Sequence, residues 1–271
     1  MMEAKPFVKW VGGKRQLITK LIHFSPAKFE NYHEPFLGGG ILFLKLSVLG
    51  KIKHAFLNDV NETLMDSYKT IKKKPKELIN ELKKPKYQNN KENFLKIRAE
   101  NPVDLVEKTA RFIYLNKTAF NGLYRVNLKG DFNVPFGKYK NPKILDEKNI
   151  LAVSNALQKD ELSSLDFEKA LHSVKKNDFI YFDPPYQPIS KTASFTNYTK
   201  ESFTEKDQKR LAKKFNELDR KGCYVMLSNS YSPLIFDLYK GHNFHVIKAN
   251  RVINCKAEGR GKIKELIITN Y

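Results

Sequence analysis

The sequence predicts an α/β fold: an open, mostly parallel seven-stranded sheet with one antiparallel strand and an inserted helical and hairpin region. Three observations predict it. Seven short β-prone runs alternate with helix-patterned segments, and the last two runs read as a hairpin. Residues Asn31 to Gly40, followed by an apolar segment from Ile41 to about Leu49, read as strand, glycine-rich loop and helix. Third, Asp178-Phe179-Ile180-Tyr181-Phe182-Asp183-Pro184-Pro185-Tyr186 runs β-prone apolar residues straight into an acid, two prolines and an aromatic ring.

Composition bounds the rest. The 271 residues suffice for one large α/β domain with a substantial insertion. With 49 Lys+Arg against 29 Asp+Glu the formal net charge is +20, a surplus that favours nucleic acid or an anionic surface as partner. Lysines on ordinary solvated helices account for much of it between Lys69 and Lys96. Cys223 and Cys255 are too few for a disulfide framework and suit a reducing cytoplasm. The N-terminus lacks a signal-type apolar core, and no run approaches the length of a membrane span. A soluble cytoplasmic protein with no membrane partner is expected.

In chain order, Lys9-Trp10-Val11-Gly12-Gly13-Lys14 comes first. Its two glycines permit a turn or a close backbone approach, and Leu17, Leu21 and Ile22 then give helical spacing. The loop Glu34-Pro35-Phe36-Leu37-Gly38-Gly39-Gly40 departs from the GxGxxG spacing of dinucleotide sites and reads as a nucleotide-binding loop or a bare turn. The next strand, His54 to Leu57, ends at Asn58-Asp59, where an acid can accept ribose hydroxyls or cap the following helix. From Val60 to about Asn116 the chain reads as polar helices separated at Pro75, Pro85 and Pro102. Leu64, Tyr68 and Ile71 form one core stripe, and Leu78, Ile79 and Leu82 another.

Ala119 to Tyr139 changes character. Lys129-Gly130-Asp131 turns between two short β-like runs, which reads as a hairpin mixing aromatic, amide and basic side chains. Such a mixture suits base reading and phosphate neutralisation, and it also suits a plain hairpin. Leu145 to Gln158 reads as a helix, and Glu161 to Leu165 as a third strand. Asp166 follows, a cap for a helix starting at Phe167. In the stretch to Tyr186 the strand stops at Phe182, because two prolines cannot continue a ladder, and Asp183 emerges at its carboxyl end. Open α/β sheets place ligands there. Thr192 to Lys200, with Phe195 and Tyr198, reads as a polar lid loop, and Glu201 to Lys221 as an amphipathic helix. Cys223 to Ser228 is a fifth strand. His245 to Ala249 and Leu266 to Asn270 pair around the basic loop Lys256 to Lys262. His242 and His245 look like surface or edge residues, and no metal-binding cluster is evident.

Asp-Pro-Pro-Tyr in this setting resembles the catalytic motif of the DNA adenine-N6 methyltransferases. Lys-Trp-x-Gly-Gly-Lys, Phe-Asn-Gly-Leu-x-Arg and Phe-Asn-Val-Pro-Phe-Gly resemble motifs of their Dam/DpnII-type, GATC-methylating group (D12 class, alpha group). The resemblance covers nearly the whole chain. It implies a Rossmann-like S-adenosylmethionine-dependent methyltransferase fold, in which residues 1–60 and 146–271 form the cofactor-binding catalytic domain and 61–145 the target-recognition domain. The substrate would be an adenine flipped out of double-stranded DNA in GATC, with S-adenosyl-L-homocysteine as the second product. The chemistry agrees. Adenine's exocyclic amine is a poor nucleophile, and a carboxylate (Asp183) with an aimed carbonyl (Pro184) can hold both amino hydrogens so that the lone pair meets the methyl carbon. Tyr186 can stack on the extruded base. No metal is needed, because the sulfonium already activates the methyl group.

By the same resemblance Trp10, Gly12, Gly13 and Lys14 close the pocket over the methionine part of the cofactor. Glu34, Pro35, Phe36, Gly38, Gly39 and Gly40 form its wall and loop. Asp59 takes the ribose, Asp166 and Phe167 border the adenine, and Asp183 completes the site. In the recognition hairpin Arg125 reads a guanine, Leu123 and Pro135 touch a thymine methyl, and Lys9 lies near the outer guanine. Asn121 and Asn127 flank Arg125. Phe120 stands where some relatives carry tyrosine, so an intercalating role survives and a phenolic hydrogen bond does not. A nucleoid-associated monomer is expected, with any cognate restriction endonuclease encoded separately. The competing classes are a methyltransferase acting on RNA, protein or cytosine N4, which usually varies the acid, and a sequence-specific DNA binder without catalysis. The latter would have no reason to keep Asp183, Asp59 and the glycines together.

Overall fold

A computed structural model describes residues 3–127, 130–187, 203–250 and 262–271. The expected lid Thr192–Lys200, the basic loop up to Gly261, Cys255, and Leu128 and Lys129 of the hairpin turn lie outside the described residues.

A single seven-stranded sheet organises the chain. In sequence order its strands are β1 (Tyr32–Glu34), β2 (Ala55–Asn58), β3 (Glu161–Ser163), β4 (Phe179–Phe182), β5 (Tyr224–Ser230), β6 (Asn243–Asn250) and β7 (Lys262–Thr269), in spatial order β3-β2-β1-β4-β5-β7-β6. Neighbours from β3 to β5 pair in parallel, and β7 lies between β5 and β6, antiparallel to both. The predicted antiparallel closure is therefore present. Strand order reverses at β1 and β4, which pair through Tyr32 with Phe179 and His33 with Ile180. The glycine-rich loop and Asp183 leave the carboxyl ends of these two neighbours, at the switch point where such sheets open a crevice.

Strand β4 shows why its sequence lacks polar alternation. Phe179 and Tyr181 pack into one core, with Leu57, Met226 and Ile267, while Ile180 and Phe182 pack into the other, with Phe215, Val225 and Tyr239. All four residues are buried, each contributing roughly 1.5–3 kcal/mol of transfer free energy. The first core continues into the inserted helices α3 (Glu62–Lys73), α4 (Pro75–Leu82), α5 (Lys91–Ala99) and α6 (Leu105–Thr118), through Leu64, Ile79, Phe94 and Ile113. Both predicted stripes are buried there. Helices α1 (Ile18–Phe24), α2 (Ile41–Val48) and α7 (Glu147–Ala156) complete that layer, and α8 (Glu205–Arg220) and α9 (Pro233–Leu238) cover the opposite face.

Three details differ from the sequence expectation. Past Asp166 the chain forms only a 3-10 turn, Lys169–Leu171, and the Asp178 carboxylate then accepts from the Lys175 N–H at 2.8 Å in the turn that leads into β4. Helix α9, with Pro233 in its first turn, was not anticipated. The hairpin expected between Ala119 and Tyr139 is held by isolated antiparallel bridges, Ala119 to Phe136 and Val126 to Phe132, rather than a continuous ladder. Proline at 135 has no N–H to donate, although its carbonyl accepts from Phe120 N at 2.9 Å.

Candidate active site

Asp183 is the first residue beyond β4, its side chain 19% exposed. The Lys14 ammonium lies 2.7 Å from its Oδ1 and donates to the Gly12 carbonyl at 2.6 Å, a contact shaped by the left-handed backbone of Gly12 (φ 77°). Burial pushes the Asp183 carboxyl up, and Lys14 opposes that shift. The same ammonium sits 4.7 Å from the centroid of the Tyr186 ring, and the Tyr186 hydroxyl donates to Glu265 Oε2 on β7 at 3.0 Å. Burial, then the charges of Asp183 and Glu265, hold that phenol far above its ordinary pKa, so it stays a donor. Pro184 is buried and Pro185 exposed.

The glycine-rich loop lies against this group. Gly38 and Gly40 are left-handed (φ 49° and 64°), and a Cβ at Gly38 would stand 2.7 Å from Cδ1 of Trp10. Gly39 lies beside the Trp10 Cβ, and a Cβ at Gly13 would come within 3.0 Å of the Trp10 carbonyl. Asp59 braces the loop: Oδ2 accepts from Gly38 N at 2.9 Å, and Oδ1 accepts from Asn61 N at 3.0 Å. The capping alternative for Asp59 does not hold, because Asn61 itself caps α3 by accepting from Leu64 N at 3.0 Å. Asn58 donates to the Pro35 carbonyl at 3.0 Å, and Tyr68 donates to the Gly38 carbonyl at 3.1 Å.

Glu34 is buried and accepts from the Tyr32 hydroxyl at 2.9 Å. Its carboxyl is raised well above the ordinary range, chiefly by burial, with Asp183 and Asp59 adding repulsion. A carboxyl raised by two neighbouring carboxylates suits a cationic ligand. Phe36 packs on Phe167 with ring centroids 5.4 Å apart. Asp166 accepts two bonds from Arg210 at 3.1 Å and one from Glu168 N at 3.0 Å, so its carboxylate is paired and closes a tight turn, while no helix starts at Phe167 for it to cap.

Trp10 joins this loop to the hairpin, its ring 6.5 Å from Tyr124 in a stacked arrangement. The Lys9 backbone is clamped by Asn116, which accepts from Lys9 N and donates to the Lys9 carbonyl, both at 2.8 Å, and donates to the Gly122 carbonyl at 3.0 Å. A Cβ at Gly122 would overlap the Lys9 side chain. Lys9 Nζ sits 4.2 Å from the Tyr139 ring centroid. Phe120 is 51% exposed, and Asn121 adopts a left-handed φ of 54°. Arg125 is exposed, with Nε donating to Asn133 Oδ1 at 2.8 Å. Asn127 and Asp131 exchange side-chain bonds across the turn, Leu123 is half-buried and Pro135 is exposed.

The structure thus gathers Trp10, Gly12, Gly13, Lys14, Glu34 to Gly40, Asp59 and Asp183 at one crevice, and attaches Asp166 and Phe167 through Phe36. Lys9, Phe120, Asn121, Leu123, Arg125, Asn127 and Pro135 belong to a second surface joined to the crevice through Trp10. Asn116 and Glu265 were missed, since a lone polar residue in a helix or strand pattern carries no signal of a distant partner. Among the described residues no group of three or more His, Cys, Asp or Glu side chains could hold a metal ion.

A sequence profile of the D12 class N6 adenine-specific DNA methyltransferases matches residues 10–253. A type II methyltransferase of Lactococcus lactis subsp. cremoris, M1.LlaDCHI, is 45% identical over 275 residues, covering 98% of this chain and 95% of that protein. The type II methyltransferase M.MjaIII of Methanocaldococcus jannaschii is 44% identical across 100% of both. A DNA adenine methylase of Vibrio cholerae serotype O1 is 34% identical, covering 98% of this chain and 96% of that protein. The profile match spans the glycine-rich loop and Asp-Pro-Pro-Tyr alike, and the chain belongs to the D12 class of N6 adenine-specific DNA methyltransferases.

Proposed function

We propose that this enzyme transfers a methyl group from S-adenosylmethionine to N6 of an adenine extruded from double-stranded DNA within GATC. One observation carries the reading: a carboxylate ends β4 beside a fixed tyrosine ring and opposite a carboxylate-braced glycine loop. S-adenosylmethionine supplies an activated methyl group when bound, and its cationic centres suit a site where Asp183 and Asp59 both repel charge on Glu34. Asp183 and the Pro184 carbonyl accept the two amino hydrogens of the base, and Tyr186 offers its ring for stacking. Lys14 opposes the upward shift that burial gives Asp183, and yields the acceptor to the amine when the base enters. Asp59 and the glycine loop hold the ribose, while Asp166 and Phe167 border the adenine of the cofactor.

Residues 61–145 serve as the target-recognition region. Arg125 bonds to its hairpin neighbour through Nε alone among the described residues, which leaves its two Nη groups to donate to guanine O6 and N7. Lys9 contacts the outer guanine, Leu123 and Pro135 the thymine methyl, and Phe120 intercalates. The net charge of +20 supplies sequence-independent attraction to the duplex. The type II methyltransferases among its relatives support a modification enzyme; in this reading it acts as a monomer in the cytoplasm, at the nucleoid, with any endonuclease encoded separately. The test is methyl transfer from labelled cofactor to duplexes carrying every single-base change in GATC, with the modified base identified. Label on cytosine, or equal labelling of all duplexes, overturns the reading.

A further inference from the structure

The motif after β4 places two carbonyls in succession, on Pro184 and Pro185, and only one of them can face the target amine. Gln208, in the first turns of α8, is fully buried and donates from Nε2 to the Pro185 carbonyl at 3.0 Å. Its Oε1 accepts from Asn229 Nδ2 at 3.0 Å, and Asn229, also fully buried, sits near the end of β5. Since Phe182 pairs with Leu227, Asn229 stands level with the start of the Pro-Pro step. Asn229 Oδ1 accepts from Gln187 N at 3.3 Å and from Ser230 N at 2.8 Å. The bonded carbonyl belongs to the peptide unit before Tyr186, and the bonded N–H belongs to the unit after it. Two side-chain amides therefore fix both peptide planes that carry this tyrosine.

We propose that Gln208 and Asn229 form a positioning relay for methyl transfer, which withholds the Pro185 carbonyl, leaves the Pro184 carbonyl to the target amine and sets the plane of Tyr186. Packing alone would not select this pair, because apolar side chains of similar volume fill such a space without desolvating two amides. Every polar atom of the relay that is desolvated here is matched to a backbone group or to its partner amide, and fully paired buried networks are rigid. Fixing the motif this way also ties α8 and β5 directly to the reacting end of β4. The inference rests on Asp183 to Tyr186 being the reacting motif.

Single-turnover methylation tests it, with active-site titration to correct for any inactive fraction. Gln208→Met, close to isosteric but without donors, lowers the methyl-transfer rate constant by about 10- to 100-fold, as for a reacting group displaced by a fraction of an ångström. Cofactor and duplex dissociation constants stay within about twofold. Gln208→Glu adds a signature that a folding defect lacks: only its protonated carboxyl donates to Pro185, so its rate relative to the parent rises as pH falls. Asn229→Leu, costly alone, adds little further loss to Gln208→Met, because one relay is broken by either change. If Gln208→Met unfolds the protein, the pH profile of Gln208→Glu decides. A corrected rate within twofold of the parent, or a Gln208→Glu ratio flat with pH, overturns the relay. Asp183→Ala runs in parallel: if it retains turnover the motif reading fails, whereas its loss beside a normal Gln208→Met leaves that reading intact and rejects the relay alone.

Discussion

Replacing Asp59 separates two roles that its carboxylate combines. In the free protein it accepts from Gly38 N at 2.9 Å and Asn61 N at 3.0 Å, bracing the turn that leads into α2. Asp59→Ala orphans both N–H groups. Each costs roughly 1–3 kcal/mol when desolvated, less whatever water recovers at this half-buried position, so a loss of about 2–4 kcal/mol in unfolding free energy is expected. If the carboxylate also accepts the ribose hydroxyls, binding of S-adenosylmethionine weakens by a further 1–3 kcal/mol or so, roughly 5- to 150-fold in Kd. Asp59→Asn keeps one acceptor for Asn61 but presents an NH2 to the Gly38 N–H, and it falls between parent and Asp59→Ala on both scales. Urea unfolding without cofactor reads the first quantity, and calorimetric titration below the unfolding transition reads the second. An unchanged calorimetric Kd in a folded but destabilised Asp59→Ala protein would show that Asp59 is a loop brace alone.

Three further outcomes are expected. Lys14→Met removes the cation that opposes the burial shift of Asp183, so the acid limb of the pH–rate profile moves to higher pH; an unmoved limb separates Lys14 from the titration of Asp183. Arg125→Ala costs about 1–3 kcal/mol on the cognate duplex and relaxes discrimination at one base pair, and equal slowing on all duplexes would make it a phosphate clamp. Burial, partly opposed by its bond from Ala55 N, raises Asp160 from an ordinary 3.8 to about 6, so the folded state binds more protons across that window and stability falls as pH rises through it. Asp160→Asn keeps an acceptor for Ala55 N and should gain up to about 3 kcal/mol at pH 7 by urea unfolding but nothing below pH 4; an equal change at both pH values refutes that cause.

Features set by short-range constraints were legible in the sequence. Proline locks its own φ and has no N–H, so Pro184-Pro185 ended β4 at the predicted residue. The run from Phe179 to Phe182 announced burial on both faces by its missing alternation, and two cores receive its side chains. The glycines at 38 and 40 are left-handed, as a turn of close approach requires. Short elements were less legible. Asp166 suggested a helix starting at Phe167, but its carboxylate accepts from Glu168 N in a tight turn and only the 3-10 turn Lys169–Leu171 follows. Helix α9 was passed over because six residues give too few turns to show a period, although Ser232-Pro233 is a fair start signal.

The site's supports were illegible for a different reason. Asn116 sits in a helix pattern as any solvated amide would, but its partner Lys9 lies 107 residues away. Glu265 reaches Tyr186 across 79 residues, and Asn229 meets Gln208 only because β5 lies beside β4 under α8. A side-chain amide bonded to a distant backbone group leaves no period and no spacing; it exists only once the sheet order is known. The same holds for Trp10. Its sequence neighbours mark it as part of a glycine-bearing turn, whereas the fold sets one indole against both Gly38 and Tyr124. A half-buried aromatic wedge of this kind cannot shift at the glycine loop without disturbing its packing against the hairpin. Trp10 thus connects the loop beside Asp183 to the hairpin that carries Arg125, a connection that follows from packing and that no motif spells out.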